Sequence, residues 1–222
     1  MQSLFALSRF SFFDFKHLVL LDLNSSGLFF YLAKDVKDLA SIDFANLSLL
    51  KSIFTDQACQ KNLLSDEKFV QESLIKNLKN FDLDHYSLVF LISPDHSPLE
   101  RKTLRSVVPF LTRVSLVDRH FFYNFYLMQK RNFSKVKFLI NVFNDCAEIS
   151  LFDQEKLLAY KTVELRNLAL QSKDFFQSAK EKFAFSQPDC FYFFTNNLSA
   201  KVKSIDLAIY LKLEAIEIEN LC

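Results

Sequence analysis

The feature that most constrains this chain is a duplicated hairpin. "HLVLLDLNSSGLFFYL", His17 to Leu32, is an apolar strand, a short polar turn and a second apolar strand. "VKFLINVFNDCAEISLF", Val136 to Phe152, runs in the same order, and laying Asp22 on Asn141 superposes the two without a gap. Strands and helices follow each hairpin, so the sequence predicts two βββαβα-like halves, two lobes facing each other across a cleft.

The first half continues with an irregular piece to about Lys61. A helix then opens at Ser65 with an apolar stripe of Phe69, Val70, Leu74, Ile75 and Leu78. "YSLVFLI" reads as a buried strand, and "SPLE", Ser97 to Glu100, as a capping box with Pro98 at the first helical position. That helix carries Leu99, Leu104, Val107, Val108 and Leu111, with Pro109 kinking or ending it. "RVSLV" is a further strand, and Asp118 caps a short aromatic helix. In the second half a third strand, "KLLAYKTVEL", is followed by a helix across Lys173 to Phe183 and the strand "CFYFF". A helix from about Leu198 to Leu211 and the strand "EAIEI" close the chain. The organisation expected is an apolar segment at 1-15, a first lobe at 16-131 and a second at 132-222.

Gly27 is the one glycine among 222 residues. Positions needing positive φ must therefore use Asn or Asp, or be built differently. Charge is balanced, 27 basic side chains against 26 acidic, which argues against coating nucleic acid. Lys130, Arg131, Lys135 and Lys137 read as a solvated lobe connection. The four cysteines lack zinc or redox spacing and read as buried thiols in a reducing cytoplasm. His17, His85, His96 and His120 have no ligand partner at helical spacing, so no metal site is expected. Residues 1-15, "MQSLFALSRFSFFDF", read as a packed N-terminal helix or edge strand; the other reading is attachment, to a partner's groove first and a membrane second, for which they have the bulk but little positive charge.

The duplicated order resembles the actin-like ATPase superfamily of MreB, FtsA and PilM, over about Phe15 to Leu221. "LVLLDLNSSGLFFYL" is similar to the first phosphate hairpin, usually Asp-x-Gly-[Ser/Thr] between two strands. "FLINVFNDCAEISLFDQEKLLAYKTVEL" is similar to the second, normally Asp-x-Gly-[Gly/Ala]-x-[Thr/Ser]. "LVFLISPDHSPLERKTLRSVVPFLTRVSLVDRHFFYNFYL" resembles the strand, helix and connecting helix of bacterial actins. "FYFFTNNLSAKV" falls at the adenosine motif Thr-Gly-Gly-Gly, and "LKLEAIEIENL" at the closing strand. The resemblance implies an α/β fold of duplicated actin-like (RNase H-like) lobes. Each would be a mixed sheet with flanking helices, and the large insert subdomains would be missing.

It also implies a nucleotide cleft lined by Asp22, Asn24, Ser25, Ser26, Asn141, Asn144, Asn196 and Asn197. The departures point to a vestigial one. Asn24 stands at the first glycine, Asn141 at the metal-side aspartate and Phe143 at the next glycine. Asn196 and Asn197 replace the adenosine glycines. Backbone N–H groups hold the phosphates in this family, and glycine permits the close approach. A neutral amide is a poorer ligand for hydrated magnesium than a carboxylate. The expectation is a non-catalytic scaffold or adaptor without cofactor, cytoplasmic and at the inner face of the membrane. Its partner would be a protein of a cell-shape, division or pilus/secretion assembly, an inner-membrane assembly protein included. The alternatives are an ATPase using altered chemistry and a TsaB-like partner subunit in tRNA threonylcarbamoyladenosine synthesis.

Overall fold

A computed structural model describes residues 17–34, 47–55, 57–79, 86–107, 114–129, 135–183, 185, 188, 190–195, 211 and 214–217. The chain divides into two compact units, one ending at Phe122 and the other beginning at Tyr123.

The first unit holds a five-stranded sheet in the order β3-β2-β1-β6-β7. Its strands are β1 His17–Asn24, β2 Gly27–Lys34, β3 Ser48–Phe54, β6 Tyr86–Ile92 and β7 Val114–Asp118. A small second sheet pairs β4 Cys59–Gln60 with β5 Leu63–Leu64. Helices α1 Glu67–Leu78 and α2 Pro98–Ser106 belong to this unit, and α3 Arg119–Gln129 begins in it and continues into the second. β1 is antiparallel to β2 and parallel to β6. Its alternate residues Val19, Leu21 and Leu23 pack in one core with Phe30, Phe90, Val70, Leu74 and Leu104. Its other face carries Leu18, Leu20, Asp22 and Asn24, all buried as well. A strand buried on both sides cannot alternate with polar residues, which is why β1 reads as a solid apolar run.

The second unit repeats this plan, in the order β10-β9-β8-β11-β12. Here β8 is Val136–Val142, β9 Cys146–Asp153, β10 Lys156–Glu164, β11 Cys190–Thr195 and β12 Glu214–Glu217. A single 3-10 turn, Leu165–Asn167, leads into α4 Leu168–Lys182. The core centres on Phe138, Ile140, Phe191 and Phe193. Phe138 lies against Phe176 at 5.4 Å between ring centroids, within the range of favourable aromatic pairing.

The duplication holds residue by residue. Asp22 pairs with Phe29 in the first hairpin and Asn141 with Glu148 in the second. These four positions are related by the same shift that aligns the sequences.

Several local expectations change. The piece read as irregular before Lys61 contains β3, the counterpart of β10. It is an edge strand with exposed Leu49, Leu50 and Phe54, and its register shifts where Phe30 pairs with Lys51 and Tyr31 with Leu49. A bulge and a half-exposed edge erase the alternation that betrays a strand. The α1 cap is Asp66, which accepts from the Phe69 N–H; the Ser65 hydroxyl donates to the Gln57 carbonyl. Ile75 and Leu99 are exposed rather than part of the apolar stripes. The capping box stands as expected, with Ser97 and Glu100 each accepting from the other's backbone N–H. Asp118 meets the Arg101 guanidinium.

Positive φ falls on Asn62, of a residue type expected to take it, but also on Lys61 and Gln154, which are not. Lys137 is buried, not solvated, and donates to the Gln154 carbonyl at 3.0 Å. Burial lowers its pKa. Cys59 and Cys146 are buried and form no disulfide. Residues 1–15, His85, Lys130, Arg131, Cys222 and most of the expected helix at 198–211 lie outside the described residues.

Candidate functional site

The candidate site of the first unit is the tip of the β1–β2 hairpin. Asp22 and Asn24 stand at the end of β1, and Ser25 and Ser26 make the turn to Gly27. All four side chains are buried.

Gly27 explains its own solitude. Its φ is +142°, and a Cβ there would lie 2.0 Å from the Ile53 carbonyl oxygen of β3. No side chain fits between these two backbones. The glycine therefore serves strand packing beside the turn.

The turn's backbone donors are already engaged. The Ser26 N–H donates to Asn24 Oδ1 at 2.8 Å, an Asx turn closed two residues on. The Ser25 N–H donates to Asn62 Oδ1, also at 2.8 Å. Asn62 sits in the two-residue turn between β4 and β5, where Lys61 and Asn62 have φ of 48° and 63°. Two successive left-handed residues are the mark of a type I′ hairpin, and Asn tolerates that conformation best after glycine. So a local turn delivers a side-chain oxygen to a hairpin 37 residues away.

Asp22 is engaged too. Arg119, the first residue of α3, donates from Nε to Asp22 Oδ1 at 2.7 Å. Its Nη2 donates to the carbonyls of Leu23 and Leu91, between the ends of β1 and β6. Neither side chain is measurably exposed, at 0% and 1%. A guanidinium this deep is tolerable only because a carboxylate and two carbonyls receive it.

Next to it, His120 is buried and its pKa is pushed down to about 3, by desolvation first and then by the Arg119 and Arg101 charges. His96 has a lowered pKa for the same leading reason, against a raising contribution from the Ser93 carbonyl it touches. Three buried groups at this tip retain unused hydrogen-bonding capacity: Asn24 Nδ2, Ser25 Oγ and Ser26 Oγ.

In the second unit, Asn141 occupies the position of Asp22. It is buried, and among the described residues neither Oδ1 nor Nδ2 has a hydrogen-bond partner. Phe143 is buried at the start of the turn and its N–H donates to the Cys146 carbonyl at 2.9 Å. Asn144 is exposed on that turn. Asn196 and Asn197 lie outside the described residues. The sequence reading thus located both hairpins but missed Arg119 and Asn62. The available signals were a lone arginine in "VDRH", directly after a strand, and Lys-Asn between two short apolar pairs.

The sequence matches no protein-family model, and no curated protein is significantly similar to it. Solved structures do match. The ethanolamine utilization protein EutJ of Carboxydothermus hydrogenoformans superposes with a TM-score of 0.62 at 11% identity, over 90% of this chain and 84% of that one. A Bacteroides thetaiotaomicron protein with actin-like ATPase fold and unknown function gives 0.56 at 10% identity, over 96% and 93%. The fold is that of the actin-like ATPases. The PilM-PilN type IV pilus biogenesis complex matches at 0.55 and 10% identity, over 90% of this chain and 88% of that one.

An actin-like fold raises the question of a magnesium nucleotide. The first hairpin does not fit one as it stands. Its carboxylate is neutralised by an internal cation, and its two turn N–H groups are given to amide oxygens. The second hairpin offers a neutral amide, Asn141, where a cation would need a charged oxygen. Among the described residues no cluster of His, Cys, Asp or Glu could hold a metal ion. No helix of the described residues is long and apolar enough to cross a membrane.

Proposed function

We propose that this protein is a non-catalytic actin-like scaffold. It binds a partner protein in a membrane-associated cell-shape, division or pilus/secretion assembly. The observation that carries the reading is the buried Asp22–Arg119 pair. A carboxylate that must steer a metal nucleotide needs to face it. This one is committed to a guanidinium whose remaining bonds tie it to two backbone carbonyls. Releasing it would strand a buried charge, at a cost of about 3–5 kcal/mol. The actin-like frame is thereby held without ligand, and its surface is what remains for function. The PilM-PilN complex is an assembly of an actin-like neighbour with another protein, and it supports a partner-binding role here.

The experiment is a thermal-shift and calorimetric titration of the wild-type protein with Mg-ATP. A ligand present at a hundred times its dissociation constant would add about 2.7 kcal/mol of stability. No shift is expected at millimolar Mg-ATP. A clear shift, or measurable hydrolysis, would overturn the reading.

A further inference from the structure

We propose that Asn62 is a built-in substitute for a bound anion, and that the β4–β5 hairpin is the strap that holds it there. The inference rests on the reading that the first hairpin no longer holds a nucleotide.

The argument starts from the turn. Adjacent N–H groups at a strand–turn–strand tip form a small concavity suited to an anionic oxygen. Here the Ser25 and Ser26 N–H groups receive oxygens from Asn62 and Asn24 at 2.8 Å each. The two acceptors differ in origin. Asn24 bonds within its own turn, whereas Asn62 arrives from another element and is 0% exposed. Its carboxamide oxygen presents the charge density of an acceptor without the net charge.

The strap is fastened on both sides of Asn62. The β4–β5 pairing sets the turn, the Ser65 N–H donates to the Ala58 carbonyl at 3.0 Å, and Ala58 and Cys59 are buried in the core of the first unit. Around the same tip, Ser25 Oγ, Ser26 Oγ and Asn24 Nδ2 remain buried without partners. Those unused donors are what an anion would meet if Asn62 were withdrawn.

The test is N62G. Glycine keeps the left-handed turn while deleting the acceptor. N62D is the control, since it keeps both an oxygen and tolerance of positive φ. The probe is inorganic pyrophosphate, with chloride at equal ionic strength as the reference. The wild type should show no pyrophosphate-dependent change in melting temperature. N62G should melt several degrees lower and recover part of the loss on adding pyrophosphate, whereas N62D, which still offers the Ser25 N–H an acceptor, should not respond to pyrophosphate. Should N62G fail to fold, amide exchange at Ser25 is compared between wild type and N62D; strong protection in both supports the strap. The proposal is overturned if N62G is as stable as the wild type, if it loses stability without any pyrophosphate response, or if Ser25 exchanges freely in the wild type. Mg-ATP binding by the wild type would instead sink the scaffold reading.

Discussion

The two hairpins share one backbone and differ in everything their tips do with it. In β1–β2 the side chain at the end of the first strand is a carboxylate bonded to Arg119. In β8–β9 the equivalent side chain is Asn141, buried with both polar atoms unused. The first turn draws an acceptor from Asn62; the second closes on itself through Phe143 and Cys146. Register and topology survive a wholesale change of tip chemistry because they are set by the apolar rows behind it. Those rows are Val19, Leu21 and Leu23 in one unit and Phe138, Ile140 and Val142 in the other. The tips are free to specialise, and the first has become an internally bonded strut.

Four tests probe that contrast. The largest effect belongs to Gly27, whose counterpart by register is Cys146. G27A drives a methyl group to 2.0 Å from a backbone oxygen and should cost at least about 4 kcal/mol or prevent folding. C146A removes one buried sulfur and should cost about 1 kcal/mol. Equal losses in urea titrations would mean that the two tips are packed alike.

Next is the ion pair. R119M leaves Asp22 buried and uncompensated, with an expected loss of about 3–4 kcal/mol. D22L/R119M should recover more than half of it, because a buried pair replaced as a unit is nearly neutral. Full recovery is not expected, since the Leu23 and Leu91 carbonyls also lose their donor. If the double variant is no better than R119M, the pair is not what holds the tip.

The third test uses pH. The folded chain keeps His120 neutral down to about pH 3, whereas the unfolded chain protonates it near 6.5. Between those values the unfolded state binds the extra proton. This stability is complete above pH 6.5 and is lost as pH falls toward 3, by about 2 kcal/mol between pH 6.5 and 5. His96, with its pKa also lowered, acts in the same direction. H120L should flatten part of the slope in denaturant midpoints measured across that window. An unchanged slope would remove His120 from the account.

How much of this was legible follows the same division. The hairpins, their gapless alignment and the strands "YSLVFLI" and "CFYFF" are visible because burial on both faces leaves a continuous apolar signature. β3 was hidden by its bulge and its exposed edge. Arg119 and Asn62 were hidden for another reason. Their meaning lies in partners 97 and 37 residues away, and no local pattern encodes a long-range bond. Asn62 was half visible, since a chain with one glycine favours asparagine where φ turns positive, although Lys61 and Gln154 take such positions too.

The smallest effect is expected at Asn141, and its sign is the informative part. A buried amide without hydrogen bonds costs about 1–3 kcal/mol of desolvation. Leucine has the same number and branching of side-chain heavy atoms and no such cost, although its methyl groups take more room. N141L should therefore leave stability unchanged or raise it by about 1 kcal/mol, while D22L alone, which strands Arg119, should lose several. The asymmetry would mean that the second hairpin holds an unused polar group that the fold does not need. N141D separates the remaining possibilities. A carboxylate placed there is buried and faces Glu148 across the strand pair. It should be destabilising near neutral pH and less so in acid, where it is protonated. If N141L instead costs 2 kcal/mol or more, Asn141 has partners that stabilise the native state, and the contrast between the two tips is one of partner identity rather than of use and disuse.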